Sequence, residues 1–515
     1  GISSEATAIQ RNLILSGKFP NLSAQLDIYL KLKMEIAKKL LAGPDLVSVL
    51  DHNQQIAALE SEKNKLEVNL AKQIPEINFS RLIDHINYNS VAEIIPTGSA
   101  LIELTASSNI NFKANPSKGD PYFTEQHYIS FVVSKNNVAE LTLIDLGPCS
   151  IIDNLINQYR AIVNGKDLQG NRYTSRKQHV SDMQQLGTKL RECIFDPLIP
   201  AFHSCKTIYL SPDNEITKLP FEILPIDNNK QLLDIYEITY LSVGRDIMNF
   251  NKPSTGDFSK PIVFADPDFD LKIISENSST GSNKLKHVND HFKDISFKRL
   301  NETKLEGETI SKMLGITPIL GERALERIVK NVKSPRFLHF ATHGFFLKNR
   351  EENKHLNSLD IAESFICSSI SNPMLRSGLA LAGANTWAKG GQLPIEAEDG
   401  ILTAEDVSCL DLLDTELVVL SACETGLGET CNGEGVFGLR RAFNVAGAKR
   451  LVLSLWAVPD QATKELMVAF YEYFLSGLPC NVALHKAQLK LREVYPNPCF
   501  WGAFILQGDP SPIKI

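Results

Sequence analysis

No stretch of this chain approaches the roughly 18 consecutive apolar residues of a membrane-spanning helix. Its first residues also lack a signal-peptide pattern, so a cytoplasmic setting and no membrane partner are expected. There is no CxxC pair. The nine cysteines are odd in number and scattered, which indicates neither a disulfide framework nor a zinc ribbon. Positive charge is not in excess: the net charge of −7 offers no electrostatic footprint for nucleic acid. The glycines at 426, 428, 433 and 435 match no GxGxxG, and no GK[ST] follows them, so a nucleotide-binding switch rests on a glycine turn alone.

What is present is ordinary globular composition, 43% hydrophobic and 22% charged over 515 residues. That length and apolar content predict two or three domains with real cores. Cys149, Cys193, Cys205, Cys367, Cys409, Cys480 and Cys499 read as small core or loop residues. Cys431 reads as part of the glycine-rich turn after Cys423.

Hydrophobic spacing divides the chain. Leu22, Leu26, Leu30, Met34, Ala37 and Leu41 recur at three- and four-residue steps and stop at Gly43-Pro44. Ile56, Leu59, Leu66 and Leu70 form a second run, so residues 1–90 predict a helical segment built on a hairpin. No 34-residue repeat is visible, although the helical pattern is already under way at the first residues and an array upstream is compatible with it. Residues 91–250 alternate strand patterns (SALIELT, HYISFVV, VAELTLI, KTIYL, KLPFEIL, IYEITYLSV) with helices near 150–164 and 181–196, which predicts an α/β layer domain.

After a polar linker, residues 260–515 alternate near-continuous apolar strands with helices. This pattern predicts α/β architecture with a mostly parallel sheet covered on both faces. Two of those strands end on a reactive side chain beside a glycine: FLHFATHGFF with His343, and ELVVLSACETGLG with Cys423. The carboxyl edge of an open α/β sheet is where ligands and catalytic groups collect. A thiolate nucleophile needs a neighbouring base and backbone N–H groups aimed at the developing oxyanion. His343 fits the base and acid, and the amides of Gly344 and Cys423 fit the oxyanion donors. Each residue taken singly has a plain alternative, a polar strand end for His343 and a small buried residue for Cys423. His339, alternating within FLHFAT, reads as a packed or an edge histidine.

Seven segments in order carry a resemblance: HFATHGFF, SGLALAGAN, DGILTAEDV, LVVLSACETGLG, GEGVFGLRRAF, GAKRLVLSLWAV and WGAFILQGDP. They resemble the CHAT peptidase family, relatives of caspases and separases, most densely over about 335–510. The resemblance implies a caspase-like fold with His343 and Cys423 as the dyad. It further implies that 91–250 is a degenerate caspase-like half preceding the active domain of 260–515. Helices of tetratricopeptide (TPR) type often stand before such domains and bind partners, so a regulatory protein partner at the N-terminal helices is expected. Some members serve prokaryotic defence or cell death.

In similar separase segments an acidic residue near Asp460 receives a basic P1 side chain. Asp460 also suits an N-cap for DQATKELMVAF, with Gly477 as the stop, and Trp456 would either floor the same pocket or pack in the sheet. Glu424 and Asp399 read as solvated loop residues, and Thr403 with Asp406 as a helix cap. The segment 348–374, long and polar, reads as a gating loop or a surface insertion. The expected activity is therefore cysteine endopeptidase action on a protein substrate, needing no metal or cofactor. Its rival is a caspase-like scaffold that only binds protein partners.

Overall fold

The computed structural model describes residues 11–43, 49–74, 88–110, 114, 123–135, 139–202, 204–250, 258–272, 295–347, 372–422, 429–431 and 435–514. The chain forms two compact units, each discontinuous in sequence. One comprises Gly1–Leu82, Pro253–Glu429 and Phe437–Lys464; the other comprises Ile83–Lys252, Thr430–Val436 and Glu465–Ile515. The α/β architecture expected from the strand and helix alternation, with mostly parallel sheet flanked by helices, is the one observed.

The first unit opens with helices α1 (Ser23–Ala42) and α2 (Val49–Gln73). Leu22, Leu26 and Tyr29 pack against Leu70 and Ile74, closing the hairpin that the leucine spacing predicted. Gly43, at φ 71°, ends α1 in a conformation that costs other residues energy.

Next come β1 (Ile262–Pro267), α3 (Asn301–Leu314), β2 (Ile319–Gly321), α4 (Glu326–Lys330) and β3 (Phe337–Ala341). They are followed by β4 (Gly344–Phe346), β5 (Ser377–Ala380), α5 (Ala384–Ala388), β6 (Ile401–Thr403) and α6 (Ala404–Ser408). Strand β7 (Leu417–Ser421), α7 (Leu439–Ala446) and β8 (Arg450–Ser454) complete the set, and α8 (Asp460–Leu475) starts in this unit, its residues from Glu465 on belonging to the second.

Strands β2-β1-β3-β7-β8 lie side by side in that order, and every pair is parallel. All five residues of β3, β7 and β8 are buried, as strands covered on both faces require. Helix α3 lies directly on β1: a Cβ placed on Gly307 would stand 2.5 Å from the Cβ of Ala265. The order reverses between β1 and β3, and that point is where open α/β sheets leave a crevice beyond their carboxyl ends. Strand β5, the first four residues of SGLALAG, pairs in a small antiparallel sheet of order β6-β5-β4 outside the parallel one.

The second unit holds a mixed sheet. Ala139–Pro148, Phe123–Lys135 and Ser99–Ile110 pair antiparallel, and Thr207–Ser211, Glu237–Tyr240 and Phe504–Gly508 continue in parallel. KLPFEIL is no strand. Pro220 lies inside it and Pro225 follows it, and Phe221–Ile223 makes a single 3-10 turn. This turn buries Glu222, whose Oε2 accepts from the Tyr240 hydroxyl at 2.7 Å. Burial pushes the Glu222 carboxyl up to about 7.

Candidate active site

Three strand ends stand level at the switch point. Ala341 of β3 pairs with Ala265 of β1 on one side and with Ser421 of β7 on the other. Beyond Ala341, the Thr342 N–H still donates to the Ser421 carbonyl, and the Thr342 hydroxyl donates to the Ala380 carbonyl at 2.6 Å. The Ala380 N–H donates to the His343 carbonyl at 2.9 Å. His343 is thus tied by its own and its neighbour's backbone to both sheets.

The His343 ring is held as firmly. Its Nε2 lies 2.6 Å from the Lys298 carbonyl oxygen, which can only accept, so Nε2 carries the proton. Nδ1 is then the nitrogen with the lone pair. Phe269 and Phe297 flank the imidazole at 5.4 and 5.6 Å between ring centroids. Those two rings and Phe345 belong to a cluster that also takes in Ala37 and Leu41 of α1.

Gly344 begins β4. In the antiparallel ladder with β5 the bonding residues alternate, and Ala380→His343 and Leu347→Arg376 set the phase. The Gly344 N–H is accordingly turned away from β5. Strand β4 lies at the end of that sheet among the described residues. Cys423 lies outside the described residues. The residue before it, Ala422, is buried, and its carbonyl accepts from Ser454 Oγ at 2.6 Å.

Asp460 is the first residue of α8. The first helical bond runs from Thr463 N–H to the Pro459 carbonyl, so Pro459 holds the N-cap position and Asp460 stands one place inside. Burial raises the Asp460 carboxyl. A positive charge on His343 would pull it down, and Glu306 and Glu302 push it up. Asp460, His343, Glu306 and Glu302 therefore share one electrostatic environment. Lys464 of α8 answers Glu302 at 2.6 Å, and Glu306 accepts from or donates to His339 Nε2 at 3.0 Å in the core. His339 is a packed histidine, with zero exposure. Trp456 is 2% exposed, so its indole belongs to the core.

Asp399 departs from the sequence reading. It is buried, and its Oδ1 accepts from the Ile401 N–H at 2.9 Å. Glu326 Oε2 accepts from the Asp399 and Gly400 N–H groups, and Lys330 pairs with Glu326, Glu398 and Asp406 at 2.5, 3.1 and 3.1 Å. Several carboxyls converge on one lysine, and burial raises both Glu326 and Asp399. A single sequence cannot show that a loop aspartate meets a distant helix. The Thr403–Asp406 capping box forms as the spacing predicts, and Gly477 follows α8 at φ 94°. Glu424 and most of the segment 348–374 lie outside the described residues.

The sequence reading missed Lys298, because its contribution is a backbone carbonyl that no residue type signals. It also missed Asn385, which stands in SGLALAGAN without an assigned role. Among the described residues no cluster of His, Cys, Asp and Glu has a metal-binding arrangement. None of the helices there is long and apolar enough to cross a membrane.

Tetratricopeptide repeat protein 28 of Homo sapiens is 29% identical over 220 residues, 40% of this chain and 8% of that protein. Its Mus musculus counterpart is 29% identical over 215 residues, again 40% and 8%. The chain thus spans less than a tenth of the length of these relatives. Separase of Saccharomyces cerevisiae, solved with securin, overlaps 91% of this chain and 34% of its own at TM-score 0.45 and 10% identity. The Arg-specific cysteine proteinase gingipain R of Porphyromonas gingivalis overlaps 70% and 74% at TM-score 0.34 and 10% identity. Both overlaps are loose. The CHAT domain model matches residues 184–509, more than half of the chain and inclusive of both ATHG and SACETG, and the chain belongs to the CHAT domain family.

Proposed function

We propose that this protein is a cysteine endopeptidase that hydrolyses a peptide bond of a specific protein substrate. The Cys423 thiol gives its proton to His343 Nδ1, and the thiolate sulfur attacks the scissile carbonyl. The amides of Gly344 and Cys423 receive the oxyanion. His343 returns the proton to the leaving amine, and water then hydrolyses the thioester, releasing the acid and restoring the thiol. Asp460 receives a basic P1 side chain. Trp456, sealed in the core, supports that region from beneath.

One observation carries this reading: His343 stands at the switch-point edge of a parallel sheet with Nε2–H bound to a carbonyl and Nδ1 left basic. Membership of the CHAT family supports it. A regulatory protein engaging the N-terminal helices would act close to the site, because Ala37 and Leu41 share a cluster with Phe297 and Phe345. A cytoplasmic defence or cell-death pathway suits such a restrained peptidase.

The test is covalent labelling by a peptidyl chloromethyl or acyloxymethyl ketone with Arg at P1, read by intact mass. An adduct lost in Cys423→Ala and in His343→Ala is expected. Absence of an adduct, with a cell extract supplying partners as well as without, would leave the scaffold reading, which the repeat-protein relatives allow.

A further inference from the structure

We propose that Asn385, Arg299 and Asp266 are positioning residues that aim the Lys298 carbonyl at His343 and thereby set its tautomer. The inference rests on the reading of His343 as the catalytic base.

Residues 295–300 belong to no helix or strand. A carbonyl in such a segment has no intrinsic reason to hold one direction. Here it is pinned on both sides. Asn385, 2% exposed, grips Phe297 at two points: the Phe297 N–H donates to Oδ1 at 2.8 Å, and Nδ2 donates to the Phe297 carbonyl at 2.9 Å. Its own backbone N–H donates to the Phe269 carbonyl at 2.9 Å, so the grip is itself anchored. Two residues beyond Phe297, the Arg299 guanidinium forks onto Asp266, with Nε to Oδ1 at 2.8 Å and Nη2 to Oδ2 at 2.6 Å. Lys298 lies between the two anchors, and its carbonyl meets His343.

Asp266 shows that the arrangement is built. It lies at the carboxyl end of β1, where the register slips between Ala265 and Pro267, and it is buried. Its φ of 46° places a non-glycine residue in the left-handed region, a conformation that costs an L side chain energy. The bulge and this conformation accompany a carboxylate held in reach of Arg299, as bulges commonly re-aim a side chain beside a functional site. A planar fork on a carboxylate fixes direction as well as distance, which a lysine could not reproduce.

The experiment uses the full chain carrying ¹⁵N-histidine, with the His343 signals identified by their loss in His343→Gln. Long-range proton–nitrogen correlation should show a protonated Nε2 and an unprotonated Nδ1 at neutral pH in the wild-type chain. Arg299→Ala, a change at a solvent-facing guanidinium, should mix the two tautomers and lower kcat up to about 100-fold with little change in KM. Arg299→Lys should restore the tautomer only in part. Asn385→Ala should act in the same direction, with circular dichroism confirming the fold. A wild-type ring protonated on Nδ1, or an Arg299→Ala spectrum identical to wild type, would overturn the proposal. The tautomer is read without turnover, so this result stands or falls separately from ketone labelling at Cys423.

Discussion

Ala341 and Ser421 are register partners in adjacent parallel strands, and His343 and Cys423 each stand two positions further along the sequence. Parallel strands in register end at one edge of the sheet, where the proposed base and nucleophile would have to meet. If the two act as one unit, their losses are not additive. Cys423→Ala and His343→Ala should each lower kcat/KM at least about 10⁴-fold, and the double variant should be no worse than either single one. Product-release assays on an Arg-P1 substrate check this, and additive losses would separate the two residues.

Asp460 should govern the charge at P1. Asp460→Asn is expected to lower kcat/KM for an Arg-P1 substrate roughly 10- to 100-fold, the worth of a charged hydrogen bond. Its carboxyl is raised by burial, so wild-type preference for Arg over a neutral P1 should strengthen as pH rises through that raised value. The Asn variant should show a flat ratio. A wild-type ratio independent of pH, or an unchanged ratio in the variant, would return Asp460 to a helix-start role.

The Gly344 amide faces away from its ladder, so removing its hydrogen should spare the fold and harm catalysis. Gly344→Pro is expected to lower kcat about 10²- to 10³-fold with a near-normal thermal midpoint, since proline is tolerated where an edge N–H points outward. Gly344→Ala keeps the N–H and should retain more activity. Equal losses in both variants would indicate crowding rather than a lost donor.

Gly307→Ala tests the packing of α3 on β1. Alanine ordinarily stabilises a helix interior by about 1 kcal/mol over glycine. Here the new methyl would lie 2.5 Å from Ala265 Cβ, and overpacking by a methyl costs roughly 1–3 kcal/mol. A net loss of stability in urea unfolding is expected; a gain would mean that the helix can back away freely.

Glu222 gives the stability a pH dependence of known sign. Its folded carboxyl is raised from 4.5 to about 7, so its contribution is full below 4.5 and lost as pH rises through 7. Relative to Glu222→Gln, the wild-type chain should lose on the order of 3 kcal/mol between pH 4.5 and 8. Urea unfolding across that range checks it, and parallel profiles would contradict a buried acid at this site.

Much of this protein is decided locally. The leucine spacing of residues 22–41, the apolar runs FLHFA and LVVLS, the Thr403–Asp406 cap and the stop at Gly477 are consequences of side-chain periodicity and backbone preference. They place His343 at a strand end without any reference to distant residues. KLPFEIL shows the boundary of that reasoning: an apolar run suggests a strand, yet two prolines turn it into a buried loop.

The remaining decisions belong to tertiary structure. Asp399 is buried where Glu326, on a separate helix, accepts from its N–H and the Lys330 charge favours its ionised form, and Trp456 is buried at 2% exposure. The return of Glu465–Ile515 to the unit holding Ile83–Lys252 depends on strands far apart in sequence. The opposition of Ala341 to Ser421 and the aim of the Lys298 carbonyl at His343 also depend on contacts across tens of residues. Periodicity reports which face of an element is buried, but not what buries it. The sequence alone determined the apolar strand that ends next to His343, and the fold determined which nitrogen of His343 holds the proton.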